Sequence, residues 1–245
     1  MIKIVHIVNQ FFAGLGGEEK AGLPVGVIDG SAGAARALEM KLGGDAKIVS
    51  TIYPGDNYFH EHKEEAMKAT LDAVRPAGPQ VLAAGPAFNS GRYGMTCVEV
   101  CNAIANELGV PCVTAMHHEN PGVDAYRELA NAKVYCLPTA ATTGGMTDAM
   151  TRLADLATRL ARSEEIGSAS KEGYIGRGIR RVEKTGRRGA ARAVEMLLKK
   201  INDESFVSEL PREIWDDAAP APALAHVQDR NIAVVTTSGV VPYGN

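Results

Sequence analysis

Ile2-Lys3-Ile4-Val5-His6-Ile7-Val8, running without a break into Asn9-Gln10-Phe11-Phe12-Ala13-Gly14, decides how the remaining chain is read. The first seven residues are apolar at nearly every position. A strand with one wet face alternates, whereas a strand covered on both faces reads as a continuous apolar run. Similar short runs at 46–52, 80–84, 111–116, 133–137 and 231–236 are predicted strands. Longer amphipathic stretches at 31–42, 60–74, 96–108, 147–161 and 187–201 are predicted helices. Their stops are Gly43-Gly44, Pro76 and Gly109-Val110-Pro111. In the fourth helix Met150, Leu153, Ala154, Ala157, Leu160 and Ala161 recur at helical spacing. Strands alternating with helices imply βαβ units and an α/β fold: an open, mostly parallel sheet with helices on both faces. The α/β domain is expected over 1–210, followed by a Pro/Ala-rich connector at 211–229. Residues 230–245 read as the first strand of a second domain that is mostly absent.

Composition narrows the function classes. The 245 residues are 45% hydrophobic and 22% charged, as in a globular chain, with only 5% aromatics. Lys+Arg at 26 against Asp+Glu at 29 excludes a generally basic nucleic-acid binder. A basic stretch at 171–192 lacks the interleaved aromatics that would stack on bases. It reads as a solvated helix face or a surface for an acidic partner. No apolar run approaches the roughly 18 residues of a membrane span, and residues 1–8 have no signal-peptide layout. Four Cys do not make a disulfide scaffold, so a reducing cytoplasm is expected.

In open α/β sheets ligands bind beyond the carboxyl ends of the strands. The segments there are 9–20, 53–59, 85–94, 117–122 and 138–145, all polar and most of them glycine-rich. Gly14 and Gly16 begin a Gly-x-Gly-x-x-Gly pattern, but Glu19 occupies its third position. Two adjacent carboxylates, Glu18 and Glu19, would repel a pyrophosphate and suit an amine. Arg92 lies among glycines, where a guanidinium fork could take a carboxylate. It could equally pin the loop to an acidic side chain. Phe88 and Tyr93 would wall such a pocket. His117-His118-Glu119 lacks metal-ligand spacing, so no metal is expected there. Cys97 and Cys101, four apart on a predicted helix, and Cys112 and Cys136, in apolar strands, read as core.

Several stretches together resemble one family, the selenoprotein subunit of component B of the glycine/sarcosine/betaine reductases. They are Lys3-Ile4-Val5-His6, Asn9-Gln10-Phe11-Phe12-Ala13-Gly14, Gly16-Gly17-Glu18-Glu19-Lys20 and Gly55-Asp56. The likeness continues in Ala84-Gly85-Pro86-Ala87-Phe88-Asn89-Ser90-Gly91-Arg92-Tyr93-Gly94 and Glu119-Asn120-Pro121-Gly122. It extends through Glu164-Glu165-Ile166-Gly167-Ser168, Gly173-Tyr174-Ile175 and Arg177-Gly178-Ile179-Arg180 to Val240-Val241-Pro242-Tyr243-Gly244-Asn245. The resemblance implies reductive cleavage of the C–N bond of glycine, sarcosine or betaine. It implies a redox-active selenocysteine or cysteine further along the family's chain, so this fragment alone is expected to be inactive and to bind no cofactor itself. It also implies a pyruvoyl group on a partner subunit of component B, and a second selenoprotein that accepts the carboxymethyl group. Residues 134–146 depart from the glycine-specific pattern, so glycine is not assumed as the substrate.

On this reading Arg92 holds the substrate carboxylate and Asn89 is a second donor. Glu18 or Glu19 meets the amine, and His117 serves as acid or base. Asp56, Asn57, Phe88, Tyr93, Glu119 and Asn120 complete the expected binding set. Two rivals stay open: a non-catalytic small-molecule binding or regulatory module, and a metal-dependent hydrolase or isomerase built on His117 and Asp56.

Overall fold

The computed structural model describes residues 1–178 and 186–209, with 219–223, 228, 231 and 233 besides. In chain order its elements are β1 (Ile2–Ile7), β2 (Gly26–Asp29), α1 (Ala34–Glu39), β3 (Ala46–Tyr53), α2 (Asp56–Glu61), α3 (Lys63–Ala77) and β4 (Val81–Phe88). There follow α4 (Gly91–Glu107), β5 (Cys112–Met116), α5 (Gly122–Leu129), β6 (Val134–Pro138), α6 (Met146–Ala161), α7 (Ala169–Glu172) and α8 (Gly189–Ile201). Two compact units result, Met1–Val182 with the sheet and Glu183–Asn245 with α8. Helix α8, placed within 1–210 by the sequence reading, therefore belongs to the second unit. The expected connector at 211–229 and the strand at 231–236 lie mostly outside the described residues.

The sheet runs β2-β3-β1-β4-β5-β6, and only the β2–β3 pair is antiparallel. Strand β1 pairs in parallel with β3 on one side and β4 on the other, which makes it central. This explains its apolar run: Val5 and Ile7 pack with α3, α4 and α5, while Ile4 packs with α1 and α6 on the opposite face. All eight residues of β4 and all five of β5 are buried for the same reason. Helix α6 turns Met150, Leu153, Ala154, Ala157 and Leu160 onto the sheet. Burying one such leucine stabilises the fold by roughly 1.5–3 kcal/mol. The chain leaves β1 for β3 on one side and reaches β4 on the other. The crevice between the carboxyl ends of β1 and β4 is therefore the topological switch point, where such sheets bind ligands.

Besides the short helices α5 and α7, which are additional to the five expected, four features differ from expectation. Strand β2 was not foreseen, because four half-exposed residues carry little periodic signal. The first helix starts at Ala34 rather than 31, because the preceding residues anchor other segments. Ser31 Oγ donates to Glu39 Oε2 (2.5 Å), Ala32 N to Thr51 Oγ1 (3.0 Å) and Ala34 N to the Phe12 carbonyl (2.7 Å). The expected helix 60–74 is two helices, broken at His62 where ψ turns to +44°. The second continues through Pro76 to Ala77 and closes on Gly78 at φ +54°. Most relevant to function, α4 begins at Gly91 and not at 96. Tyr93 is fully buried with its ring 5.7 Å from Phe12, and that packing outweighs the poor helix propensity of Gly91 and Gly94. Arg92 and Tyr93 are thus helical residues and not loop residues. Among the described residues no helix is long and apolar enough to cross a membrane.

Candidate functional site

At the switch point lies a cleft of about 470 Å³, walled by residues that follow four different strands. After β1 come Asn9, Gln10, Phe11, Phe12, Gly17 and Glu18, and after β3 comes Asp56. The end of β4 brings Ala87, Phe88, Asn89 and Ser90, and the segment after β6 brings Ala141, Thr142 and Thr143.

The floor is a buried polar knot. Asn9 Nδ2 donates to Asp56 Oδ2 at 2.8 Å, while Asn9 Oδ1 accepts from the Phe12 amide at 2.9 Å. Gln10 Oε1 accepts from the Asp56 amide at 3.0 Å, so both side chains that follow β1 address the start of α2. Gly55 makes this approach possible: a Cβ there would collide with the carbonyl oxygens of Ala21 and Leu23. Asp56 is 6% exposed, and its Oδ1 has no hydrogen-bond donor. Burial pushes its carboxyl above the usual carboxylate range, although the Asn9 bond and the Arg92 charge pull the other way.

The wall from β4 is held in an unusual shape. Ala84 pairs with Thr114, but the next pair is Phe88 with Met116, so β4 carries two extra residues across this interval. Phe88 adopts φ +49°, a left-handed conformation that costs a non-glycine residue about 1–2 kcal/mol. Its surroundings hold it there. The Phe88 carbonyl accepts from His117 N (2.9 Å) and from Asn120 Nδ2 (2.9 Å). Asn120 Nδ2 also donates to the Ser90 carbonyl (3.0 Å), and Asn120 Oδ1 accepts from Gly122 N (2.9 Å). Beneath, His6 Nε2 donates to the Gly85 carbonyl at 2.7 Å.

Of the expected binding residues, Glu18, Asp56, Phe88 and Asn89 line the cleft. Arg92 does not. Its guanidinium is half exposed, meets Glu18 Oε1 at 2.5 Å and contacts Asn57 Oδ1, tying the first loop to α2. Glu19 turns back to accept from the Gly17 amide at 2.9 Å, which holds its carboxyl below the usual range. Tyr93 lies in the core and not in the cleft wall. His117 and Glu119 stand outside the lining, with Nδ1 and Oε2 3.9 Å apart, and Asn120 is buried as a backbone clamp. Asn9, Gln10, Phe12 and the two threonines were not singled out as binding residues. Two adjacent amides directly after the central strand were the signal available for the first pair. Among the described residues no three His, Cys, Asp or Glu side chains are grouped so as to hold a metal ion.

Cys97, Cys101, Cys112 and Cys136 are all free and all fully buried, as expected of core residues. Burial pushes the Cys97 and Cys136 thiols well up, and contact with Cys112 together with burial does so for Cys101. A thiol must ionise to attack, so these groups are inert in the folded protein. Native protein treated with DTNB at pH 8 is expected to release almost no thiolate until denaturant is added, and then to react at all four cysteines. Rapid labelling of any one in the native state would show that its burial is not maintained.

The family model described as glycine/sarcosine/betaine reductase selenoprotein B matches residues 1–245. The glycine reductase complex component B subunit gamma of Carboxydothermus hydrogenoformans is 44% identical over 243 residues, covering 99% of this chain and 55% of that protein. The sarcosine reductase complex component B subunit beta of Peptoclostridium acidaminophilum is 39% identical over 244 residues, 100% of this chain and 55% of the relative. The betaine reductase complex component B subunit beta of the same organism is 37% identical over 247 residues, with the same coverage. The chain thus spans about half the length of the curated relatives it matches. No solved structure matches it. The cleft segments after β1, β3 and β4 are among the stretches that carried the resemblance, the match runs from the first residue to the last, and on that ground the chain belongs to the glycine/sarcosine/betaine reductase selenoprotein B family.

Proposed function

We propose that this chain is the substrate-binding α/β part of a component B reductase subunit, and that the cleft at the switch point receives a small amine acid. The observation that carries the reading is the cleft itself. Four strand ends converge there on a buried carboxylate, three amide side chains and three phenylalanines, a mixture suited to a small zwitterion. Relatives matched over the whole of this chain are named for glycine, sarcosine and betaine reductases.

In this proposal the reductive C–N cleavage draws its nucleophile from a selenocysteine or cysteine outside these residues, since the four thiols present are sealed in the core. A partner subunit of component B supplies the pyruvoyl group, and a second selenoprotein takes the carboxymethyl product. The role of these residues is to bind and orient substrate. Asn89 and Ser90, just before α4, line the cleft, and their side chains offer an amide and a hydroxyl donor suited to a carboxylate. Arg92 reaches the same carboxylate only by exchanging it for Glu18.

An NMR titration of the isotope-labelled protein with glycine, sarcosine and betaine tests the reading. At least one of them is expected to shift the side-chain amides of Asn9, Gln10 and Asn89 saturably. If none perturbs these signals at high millimolar concentration, the cleft is not the substrate site.

A further inference from the structure

We infer that Asp56 is the anchor for the ammonium end of the bound amine, and that neither Glu18 nor Glu19 serves in that place. The inference rests on the proposed substrate cleft and assigns the polarity of the ligand within it.

Two carboxylates line the cleft, Glu18 and Asp56. Glu18 is two-thirds exposed and already faces the Arg92 guanidinium. Glu19 is turned onto the Gly17 amide and does not reach the lining. Asp56 stands at the first position of α2, with one oxygen bound to Asn9 and the other shielded from water without a donor. A buried carboxylate is tolerated when its charge is paired. Arg92 and His60, the basic side chains nearest in its surroundings, make their hydrogen bonds elsewhere, although the Arg92 charge still acts on it. Arg92 is held by Glu18 and Asn57, and His60 gives its Nε2 to the Arg92 carbonyl at 3.1 Å. Asp56 then either takes up a proton, as its raised pKa favours, or draws a compensating charge from the cleft that it lines. An ammonium in the cleft supplies that charge, and Phe12 and Phe88, with ring centroids 6.2 Å apart, line the same cleft with aromatic rings of the kind that attract a cation. The opposite end of a zwitterion then lies toward Asn89 and Ser90.

The experiment crosses two ligands with two forms of the intact 245-residue protein. Glycine carries the ammonium, and glycolate replaces it with a hydroxyl of similar size. Asp56→Asn keeps an oxygen that can accept from Asn9 and removes the charge. Affinity for glycine is expected to fall about ten- to hundredfold in Asp56→Asn, as for loss of a charge-assisted contact, while glycolate changes less than threefold. Sarcosine or betaine replaces glycine if wild type prefers it. Glu19→Gln, outside the lining and still able to accept from the Gly17 amide, should leave the amine's affinity within a few-fold of wild type. The variant is expected to melt no lower than wild type, because a buried charge has been removed. If it unfolds instead, Asp56→Glu, which restores the charge on a longer stem, is expected to recover part of the affinity, and failure to recover any overturns the assignment. Wild type that binds an amine while Asp56→Asn binds it equally well overturns the inference alone. Wild type that binds no amine overturns the reading of the cleft and the inference with it.

Discussion

Replacing Asn120 by Asp is expected to destabilise the protein more than replacing it by Ala, although Asp is nearly the same shape. The side chain is 1% exposed and makes three hydrogen bonds to the backbone. In Asn120→Ala the Phe88 carbonyl keeps the His117 amide and the Ser90 carbonyl keeps the Gly94 amide, so only the Gly122 amide loses its partner. Three lost bonds at roughly 0.5–1.5 kcal/mol each predict a cost of about 2–4 kcal/mol. In Asn120→Asp the donor nitrogen becomes an oxygen facing two carbonyl oxygens. Either a charge is buried without a partner or the group must take up a proton, and an uncompensated buried charge costs roughly 3–5 kcal/mol. Urea unfolding of both variants at neutral pH measures the order, and acidification should narrow the gap as the introduced carboxyl protonates. Gly94→Ala adds a coupling check, because its Cβ would strike the Asn120 amide group. The double variant Gly94→Ala/Asn120→Ala should therefore be less than additive. If Asn120→Asp is as stable as wild type, Asn120 is not the clamp that holds Phe88 and Ser90 at the cleft.

Asn120 also shows what was legible in the chain and what was not. Its stretch was rightly singled out, because Glu119-Asn120-Pro121-Gly122 follows a strand. The sequence could not say that the amide turns inward to hold a neighbouring loop instead of outward to a ligand. Arg92 presents the same limit. Both an outward carboxylate contact and a pin to an acidic side chain were readable beforehand, and the choice depends on Glu18, 74 residues away in sequence. Long-range pairing of this kind leaves no periodic trace. The fold was plainer. The unbroken apolar run of β1 and the alternation of short apolar runs with amphipathic stretches follow from burial, a property each segment carries locally, whereas the eight-residue α5 after β5 is too short to leave a clear period. The misplaced start of α4 lies between these cases. Glycines at 91 and 94 argue for a loop, and only the seat of Tyr93 against Phe12 overrides them.

Acidification from pH 6.5 to pH 4 is expected to cost the fold about 3 kcal/mol through His6 alone. His6 lies in the central strand, is fully buried, and donates from Nε2 to the Gly85 carbonyl while Nδ1 has no partner. Burial lowers its pKa to about 4 from an ordinary value of 6.5, even though the Gly85 bond favours the charged form. In the unfolded chain the imidazole protonates near its ordinary value. Between these two pH values the unfolded state therefore binds more protons than the native state, so stability rises with pH and is lost as pH falls. At about 1.4 kcal/mol per pKa unit, a depression of roughly two and a half units gives a full effect of about 3.5 kcal/mol, of which a little under 3 falls between pH 6.5 and pH 4 because each state is half protonated at its own end of that window. Asp56 acts in the opposite sense, since its raised pKa relieves a cost as pH falls. Glu172, held down at about 2 by Arg159, loses its contribution below the ordinary carboxylate range. A difference measurement removes both. His6→Gln keeps a nitrogen donor for Gly85 and does not titrate, so the gap between wild-type and variant stability, measured by urea unfolding at each pH, should close by about 3 kcal/mol from pH 6.5 to pH 4. Parallel curves would mean that His6 takes up a proton without opening the core. Because the Gly85 carbonyl lies in the irregular interval of β4 that carries Phe88 to the cleft, the same loss should loosen the ligand wall before the sheet itself gives way.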